Sequence, residues 1–186
     1  MRKIMAFEQV SLDGFFVDAK GDMNWAHKQD AEWNEFTAGN AGGDGALLFG
    51  RKTYEMMASF WPSPMAMQSA PKVAEGMNNL PKIVFSRTLE TASWKNTTLM
   101  KGDLVTSVRK LKKKAGPDLV ILGSGAIVAQ LAPAGLIDEF QIIVNPLVLG
   151  SGRTLFEGVK ERIDLKLVKT RAFGNGNVIL YYSPTA

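Results

Sequence analysis

A mostly parallel central sheet, covered by helices on both faces and ending in an antiparallel hairpin, is the α/β fold class this sequence predicts. Three observations predict it. Apolar runs of strand length recur along the whole chain. Over the first two thirds they alternate with helix-like stretches, which argues for parallel crossovers and a doubly covered sheet. The ending, RAFGNGNVILYY, sets Gly174, Asn175 and Gly176 between two strand-like runs, which signals a hairpin. With 186 residues at 46% hydrophobic content, the chain is long enough for one substantial core, and a single domain over 1–186 is expected.

The elements follow in order. Lys3 to Val10 alternates as a strand; Glu8 projects opposite Phe7 and Gln9, and periodicity alone leaves open which side is inside. After the loop DAKGDMNW comes a helix over Gln29 to Ala38. The strand Gly45 to Phe49 runs into a helix over Arg51 to Ser59. FWPSPMAMQSAP reads as a surface loop entering a helix at Met65 to Met77, whose methionines fit packing better than any cofactor role. Lys82 to Ser86 is a strand. Leu104 to Lys114 is a helix, because Leu104, Val108 and Leu111 form one apolar stripe and turn Lys110, Lys112, Lys113 and Lys114 outward. The strand Leu119 to Leu122 leads to a helix over Ala126 to Leu131. Strands over Asp138 to Val144, Leu165 to Ala172 and Val178 to Tyr182 complete the chain.

Composition narrows the function classes. The net charge of +4 comes from 22 basic and 18 acidic residues, and no aromatics interleave the lysine run VRKLKKKAG, so a solvated helix face explains it better than a nucleic-acid patch. Cysteine is absent, which removes disulfides, thiolate metal sites and a thiol nucleophile. The one histidine, His27, and acidic residues without ligand spacing argue against a metal centre. The start, MRKIMAFEQV, has the pattern of neither a signal peptide nor an anchor, and no run approaches a membrane span; a cytoplasmic protein is the default expectation.

Three strand ends carry the chemistry. In DLVILGSGAIVAQLAP, an apolar strand meets a helix through Gly123, Ser124 and Gly125. Glycines there admit a ligand close to the backbone and the helix start favours an anion, though Val128 stands where the dinucleotide fingerprint needs a third glycine, and tight packing without a ligand reads equally well. In GALLFGRKTYEMM, Gly50 makes the turn and Arg51, Lys52 and Thr53 open the helix. Two cations there oppose the macrodipole, a repulsion that a bound phosphate would offset. In KIVFSRT, Ser86, Arg87 and Thr88 end a third strand. Parallel strands would bring all three to one edge of the sheet, where open α/β folds bind ligands.

The order GRKTYE, IVFSR, VILGSGAIVAQL, DEFQIIVNPLVLGSGRTLF resembles the dihydrofolate reductase superfamily, with its three-layer fold. VSLDG at 10–14 and NPLVLGSGRTLF at 145–156 resemble most closely the branch typified by the reductase domain of the bifunctional riboflavin-biosynthesis deaminase-reductase. The resemblance implies an NADPH-dependent reductase of a pterin or aminopyrimidine-type heterocycle, such as 5-amino-6-(5-phosphoribosylamino)uracil. It implies that Gly50, Arg51, Lys52 and Thr53 contact the cofactor phosphates, and that Ser86 and Arg87 lie near the adenosine 2′-phosphate. Gly123, Ser124, Gly125, Ala126 and Ile127 would lie beside the pyrophosphate and nicotinamide. It also implies a homodimer. The chain departs from that branch in lacking the deaminase domain and in continuing GRKTYE with MMASFWPSPM, without the acidic, proline-containing segment that recognises a ribose phosphate.

Hydride transfer requires a proton source, for which Glu8, Asp13 and Asp30 are candidates. Asp13 lies in SLDG, as a catalytic or substrate residue or as a turn aspartate bonding backbone. Asp30 follows Trp25 by five residues, the spacing of the pterin-binding carboxylate in dihydrofolate reductases; a helix-start carboxylate is the alternative. Trp25 is a candidate for stacking a planar substrate. Folate reduction itself, and a nucleotide-binding module without turnover, stay open beside the leading reading.

Overall fold

The computed structural model describes residues 1–28 and 30–185. Its strands are β1 (Ile4–Ser11), β2 (Phe15–Val17), β3 (Ala46–Gly50), β4 (Lys82–Phe85), β5 (Thr97–Met100), β6 (Leu119–Leu122), β7 (Glu139–Asn145), β8 (Arg153–Thr154), β9 (Leu165–Ala172) and β10 (Val178–Pro184). Its helices are α1 (Ala31–Ala41), α2 (Arg51–Phe60), α3 (Pro64–Ser69), α4 (Pro71–Asn79), α5 (Leu104–Lys113) and α6 (Gly125–Leu131). Eight strands form one sheet in the order β5-β4-β3-β6-β1-β7-β10-β9, and β2 pairs with β8 in a separate ribbon. Neighbours from β5 to β7 are parallel, and β10 runs antiparallel to both β7 and β9. This is the mostly parallel sheet with an antiparallel C-terminal end that the patterning predicts, in the dihydrofolate reductase-like arrangement that the resemblance implies.

Both faces of the sheet are covered, so the central strand β3 is buried residue after residue from Ala46 to Phe49. On one face Ile4, Ala6, Leu48, Ile121 and Phe140 pack with Leu104 and Val108 of α5 and Ile127, Val128 and Leu131 of α6. The other face carries two separate clusters. Leu47, Phe49 and Val84 meet Tyr54 of α2, Met77 of α4 and Trp94, while Ile143, Ile179 and Tyr181 meet Trp33 of α1 and Phe173. Burying one such side chain contributes roughly 1.5–3 kcal/mol, so these stripes, rather than helix propensity, hold the helices down.

Several boundaries differ from the sequence-based expectation. The helix expected over Met65 to Met77 is two helices. Pro71 excludes residue 70 from helical conformation, Ala70 turns to φ −147°, and Pro71 opens α4 as its first residue. Of the helix expected from Gln29, that residue lies outside the described ones; α1 starts at Ala31 with Asp30 as its N-cap. Lys112, expected outward, turns inward to pair with Asp138 and donates to the Leu136 carbonyl at 3.1 Å, tying α5 to the start of β7. Strands β2, β5 and β8 lie in segments for which the sequence reading predicts no element. Lys82, at the start of β4, is fully buried. Its ammonium donates to the Leu80 and Asn78 carbonyls at 2.6 and 3.3 Å, closing the end of α4 over Trp94.

Candidate functional site

β4, β3, β6 and β1 are consecutive and parallel, so their carboxyl ends share one edge of the sheet. At about 4.8 Å per strand, the span from β4 to β1 is roughly 14 Å. At the middle of this edge two strand-to-helix turns are joined to each other. The Gly50 amide donates to Ser124 Oγ at 3.0 Å, and Thr53 Oγ1 donates to the Gly123 carbonyl at 2.9 Å. Gly123 sits at φ +63°, a left-handed conformation that glycine adopts without strain. α2 has no side-chain cap at Gly50, so the amides of its first turn keep their hydrogen-bonding capacity for a ligand. Arg51 and Lys52 project into solvent there; Arg51 also pairs with Glu55 at 3.1 Å, one turn along the helix.

The end of β4 supplies Ser86 and Arg87. The Ser86 hydroxyl oxygen accepts from the Thr88 and Leu89 amides at 3.2 and 2.9 Å and so shapes its own turn, leaving Arg87 as the exposed cation. Beside Ser124, Gly125 and Ile127 are buried while Ala126 is exposed. A Cβ at Gly125 would come within 2.6 Å of the Phe16 ring, so β2 covers the start of α6.

Glu8 completes the edge. On β1 it shares the inward face with Ile4, Ala6 and Val10 and is 1% exposed. Neither carboxyl oxygen closes a hydrogen bond with another described residue. Burial drives its pKa up to about 8, opposed only by the nearby Ser124 and Gly123 amides. At neutral pH this carboxyl is therefore largely protonated.

The other acidic candidates are engaged. Asp13 Oδ1 accepts from Ser11 Oγ at 2.6 Å and from the Leu149 amide at 3.1 Å, and Oδ2 accepts from the Gly150 amide at 2.8 Å. The Ser11 hydroxyl and these amides hold its pKa down to about 2, so it is ionised and clasps the loop after β1 to the loop after β7. Asp30 Oδ1 caps α1, accepting from the Trp33 amide at 2.7 Å. The hairpin between β9 and β10 packs against it, with a Cβ at Gly174 placed 3.4 Å from Asp30 Oδ2. Trp25 is half-buried in a short 3₁₀ turn, its indole N–H on the Asp22 carbonyl at 3.0 Å, and His27 ends that turn exposed.

Two further groups at this edge went unread in the sequence. Asn145 and Asn177 end β7 and precede β10, facing each other across that pair in continuation of its register, and both are fully buried. Asn145 Nδ2 reaches Gln9 Oε1 and the Val10 carbonyl at 3.3 Å each, while Asn145 Oδ1 and both side-chain polar atoms of Asn177 have no partner among the described residues. Hairpin chemistry accounts for Asn residues at such positions, so no pattern set them apart.

A cavity of about 560 Å³ lies elsewhere, where Gly42 and Asp44 meet Lys72 and Gly76. None of the residues of the carboxyl edge lines it. Among the described residues, no helix is long and apolar enough to cross a membrane.

An NADP dinucleotide fits the donor set at the carboxyl edge: cations at Arg51, Lys52 and Arg87, open first-turn amides on α2, and orphaned polar atoms on Glu8 where the edge turns inward.

Known proteins agree with this architecture. A protein of Bacillus subtilis (strain 168), the uncharacterized protein YyaP, is 30% identical over 182 residues, covering 97% of this chain and 94% of its own. A candidate riboflavin biosynthesis protein from Shewanella sp. PV-4 superposes with a TM-score of 0.74 at 23% identity, covering 99% of both chains. Dihydrofolate reductase from Enterococcus faecalis, solved with NADP(H), superposes with a TM-score of 0.65 at 16% identity, covering 99% of this chain and 97% of its own. The model of the RibD C-terminal domain matches residues 2–179, so this chain belongs to that family.

Proposed function

We propose that this protein is an NADPH-dependent reductase that reduces a C=N or C=O group of a small heterocycle, of pterin or aminopyrimidine type. The observation that carries the reading is the joined pair of turns, Gly50 to Ser124 and Thr53 to Gly123, flanked by exposed cations. Arg51 and Lys52 would neutralise the pyrophosphate at the start of α2, and Arg87 would meet the 2′-phosphate, for which no acidic residue competes at the end of β4. When bound, NADPH supplies the hydride. The turns at Gly50 and Gly123 fix where the cofactor lies, and β2, with Phe16 over Gly125, shields the inner end from water.

The substrate side rests on fewer groups. Asp30 and the amides of Gln9 and Asn145 sit toward the β7 end of the same edge, and we assign them to orienting the heterocycle. Asp13, ionised and clasped to Leu149 and Gly150, positions loops and holds no proton to give. Membership of the RibD family and the riboflavin-type motifs favour an aminopyrimidine over folate.

Oxidation of NADPH, followed at its absorbance maximum across a panel of pterins and aminopyrimidines, tests the reading. Substrate-dependent turnover is expected, together with Arg51→Ala and Arg87→Ala variants that lose about tenfold in NADPH affinity and little in NADH affinity. Tight NADPH binding with no turnover on any member of the panel would instead favour a binding module.

A further inference from the structure

We propose that Glu8 docks the carboxamide of the nicotinamide ring, offering it one hydrogen-bond donor and one acceptor from a single side chain. The inference rests on the cofactor reading above and gives its inner end a specificity residue. Strand pairing supplies the place. β1 pairs with β6 only as far as Phe7 and Leu122, whereas it stays paired with β7 to Ser11 and Asn145. From Glu8 onward β1 has no paired residue on its β6 side, and the chain after β6 turns at Gly123 into α6, with the Gly123 and Ser124 amides near the Glu8 carboxyl. Glu8 therefore sits where the two strands part, between the last β1–β6 pair and the two joined turns.

There both Glu8 oxygens are buried, and among the described residues neither closes a hydrogen bond, the nearby Gly123 and Ser124 amides included. A buried polar atom left unpaired is costly, so the pair of them marks a place where a ligand completes the bonding. Among the described residues of the elements packed around it, no cation is placed to neutralise a carboxylate. β6 and α6 carry no titratable side chain, and β7 carries only Glu139, which pairs with Met5 on the opposite face. β2 carries none; Asp13 and Asp18 flank it, and Arg153 of β8 is engaged over the Phe16 ring at 5.2 Å. Burial without a neighbouring cation favours the neutral carboxyl and pushes its pKa up to about 8.

A neutral carboxyl presents an O–H donor and a C=O acceptor side by side. A primary carboxamide presents the complementary pair, a C=O acceptor and an N–H donor, so the two groups close a double hydrogen bond without either being ionised. Phosphates and carboxylates would be rejected at this position, which separates it from the cationic end of the edge at Arg87.

Calorimetric titration with two ligands tests the assignment: NADPH, and 2′-phospho-ADP-ribose, which has the phosphates and no nicotinamide. Glu8→Ala should weaken NADPH about tenfold and leave 2′-phospho-ADP-ribose within about twofold. Glu8→Gln, which keeps a donor and an acceptor, should hold NADPH near the wild-type affinity. It should also abolish the loss of NADPH affinity that the wild type undergoes as pH rises through about 8. Unchanged NADPH affinity in Glu8→Ala, or an equal pH trend in wild type and Glu8→Gln, overturns the proposal while leaving the cofactor reading intact. Failure of the wild type to bind either ligand overturns the cofactor reading itself. If Glu8→Ala does not fold, the pH comparison with Glu8→Gln decides alone.

Discussion

Burial governs the protonation of Glu8. In the unfolded chain its carboxyl titrates near 4.5, and in the folded protein near 8. The folded state is therefore favoured in full below pH 4.5 and loses that advantage as pH rises to about 8, because only the unfolded carboxyl ionises in between. At 1.36 kcal/mol per pKa unit the loss is on the order of 5 kcal/mol, set against whatever desolvation a glutamine brings in its place. Glu8→Gln should thus be more stable than the wild type at pH 8 by a few kcal/mol, with the difference shrinking toward zero near pH 4.5. Urea unfolding at both pH values measures this. A difference that stays constant with pH would mean that the Glu8 carboxyl is ionised in the fold. Asp13 lies at the other extreme: it keeps its charge down to about pH 2 because Ser11 and two amides of the opposing loop hold it. Two carboxyl groups five residues apart are thus set to opposite protonation states, chiefly by burial at Glu8 and chiefly by hydrogen bonding at Asp13.

At the scale of the elements, the joined turns make a cooperative unit. Ser124 Oγ serves the Gly50 amide and Thr53 Oγ1 serves the Gly123 carbonyl, so each turn borrows a side chain from the other. Ser124→Ala and Thr53→Val should each cost about 1 kcal/mol. Their double variant should fall short of the sum by at least 0.5 kcal/mol, since losing either bond already loosens both turns. Strict additivity in a denaturation cycle would show that the turns are independent. The sequence made these turns legible because glycine, serine and basic residues at strand ends have local reasons to be there. Other elements had none. β2 and β8 are three and two residues long, and they form only because each pairs with the other across a separation of more than 130 residues. β5, at the edge of the sheet, is a short, half-exposed run without a clear alternation. The break at Ala70 was readable from Pro71, yet the apolar spacing of Met65 to Met77 on either side of it favoured one helix. The inward face of β1 needed the sheet: Glu8 and Phe7 are equally compatible with burial until β6 and β7 fix which side α6 covers.

At the scale of the molecule, the site exists because strand order, not chain order, sets adjacency. β4, β3, β6 and β1 come from four separate stretches of chain, and their parallel pairing delivers Arg87, Arg51, Gly123 and Glu8 to one edge in that spatial sequence. A pattern of alternating strands and helices implies such an edge, whereas the order of strands along it follows from right-handed crossovers and packing that no local motif encodes. A single ligand spanning this edge must therefore act on all four strand ends together. Hydrogen exchange gives the test: NADPH should slow exchange in Gly50 to Thr53, Arg87 to Leu89, Gly123 to Ala126 and Glu8 to Ser11 with one common midpoint, and leave Gly42 to Asp44, at the opposite edge, unchanged. The arrangement also orders the consequences of substitution. Arg87→Ala should raise that midpoint for all four segments alike, because one binding event governs them. Protection confined to the Gly50 and Gly123 turns, with the ends of β4 and β1 unaffected, would describe an anion held at the joined turns and would remove the dinucleotide from the edge.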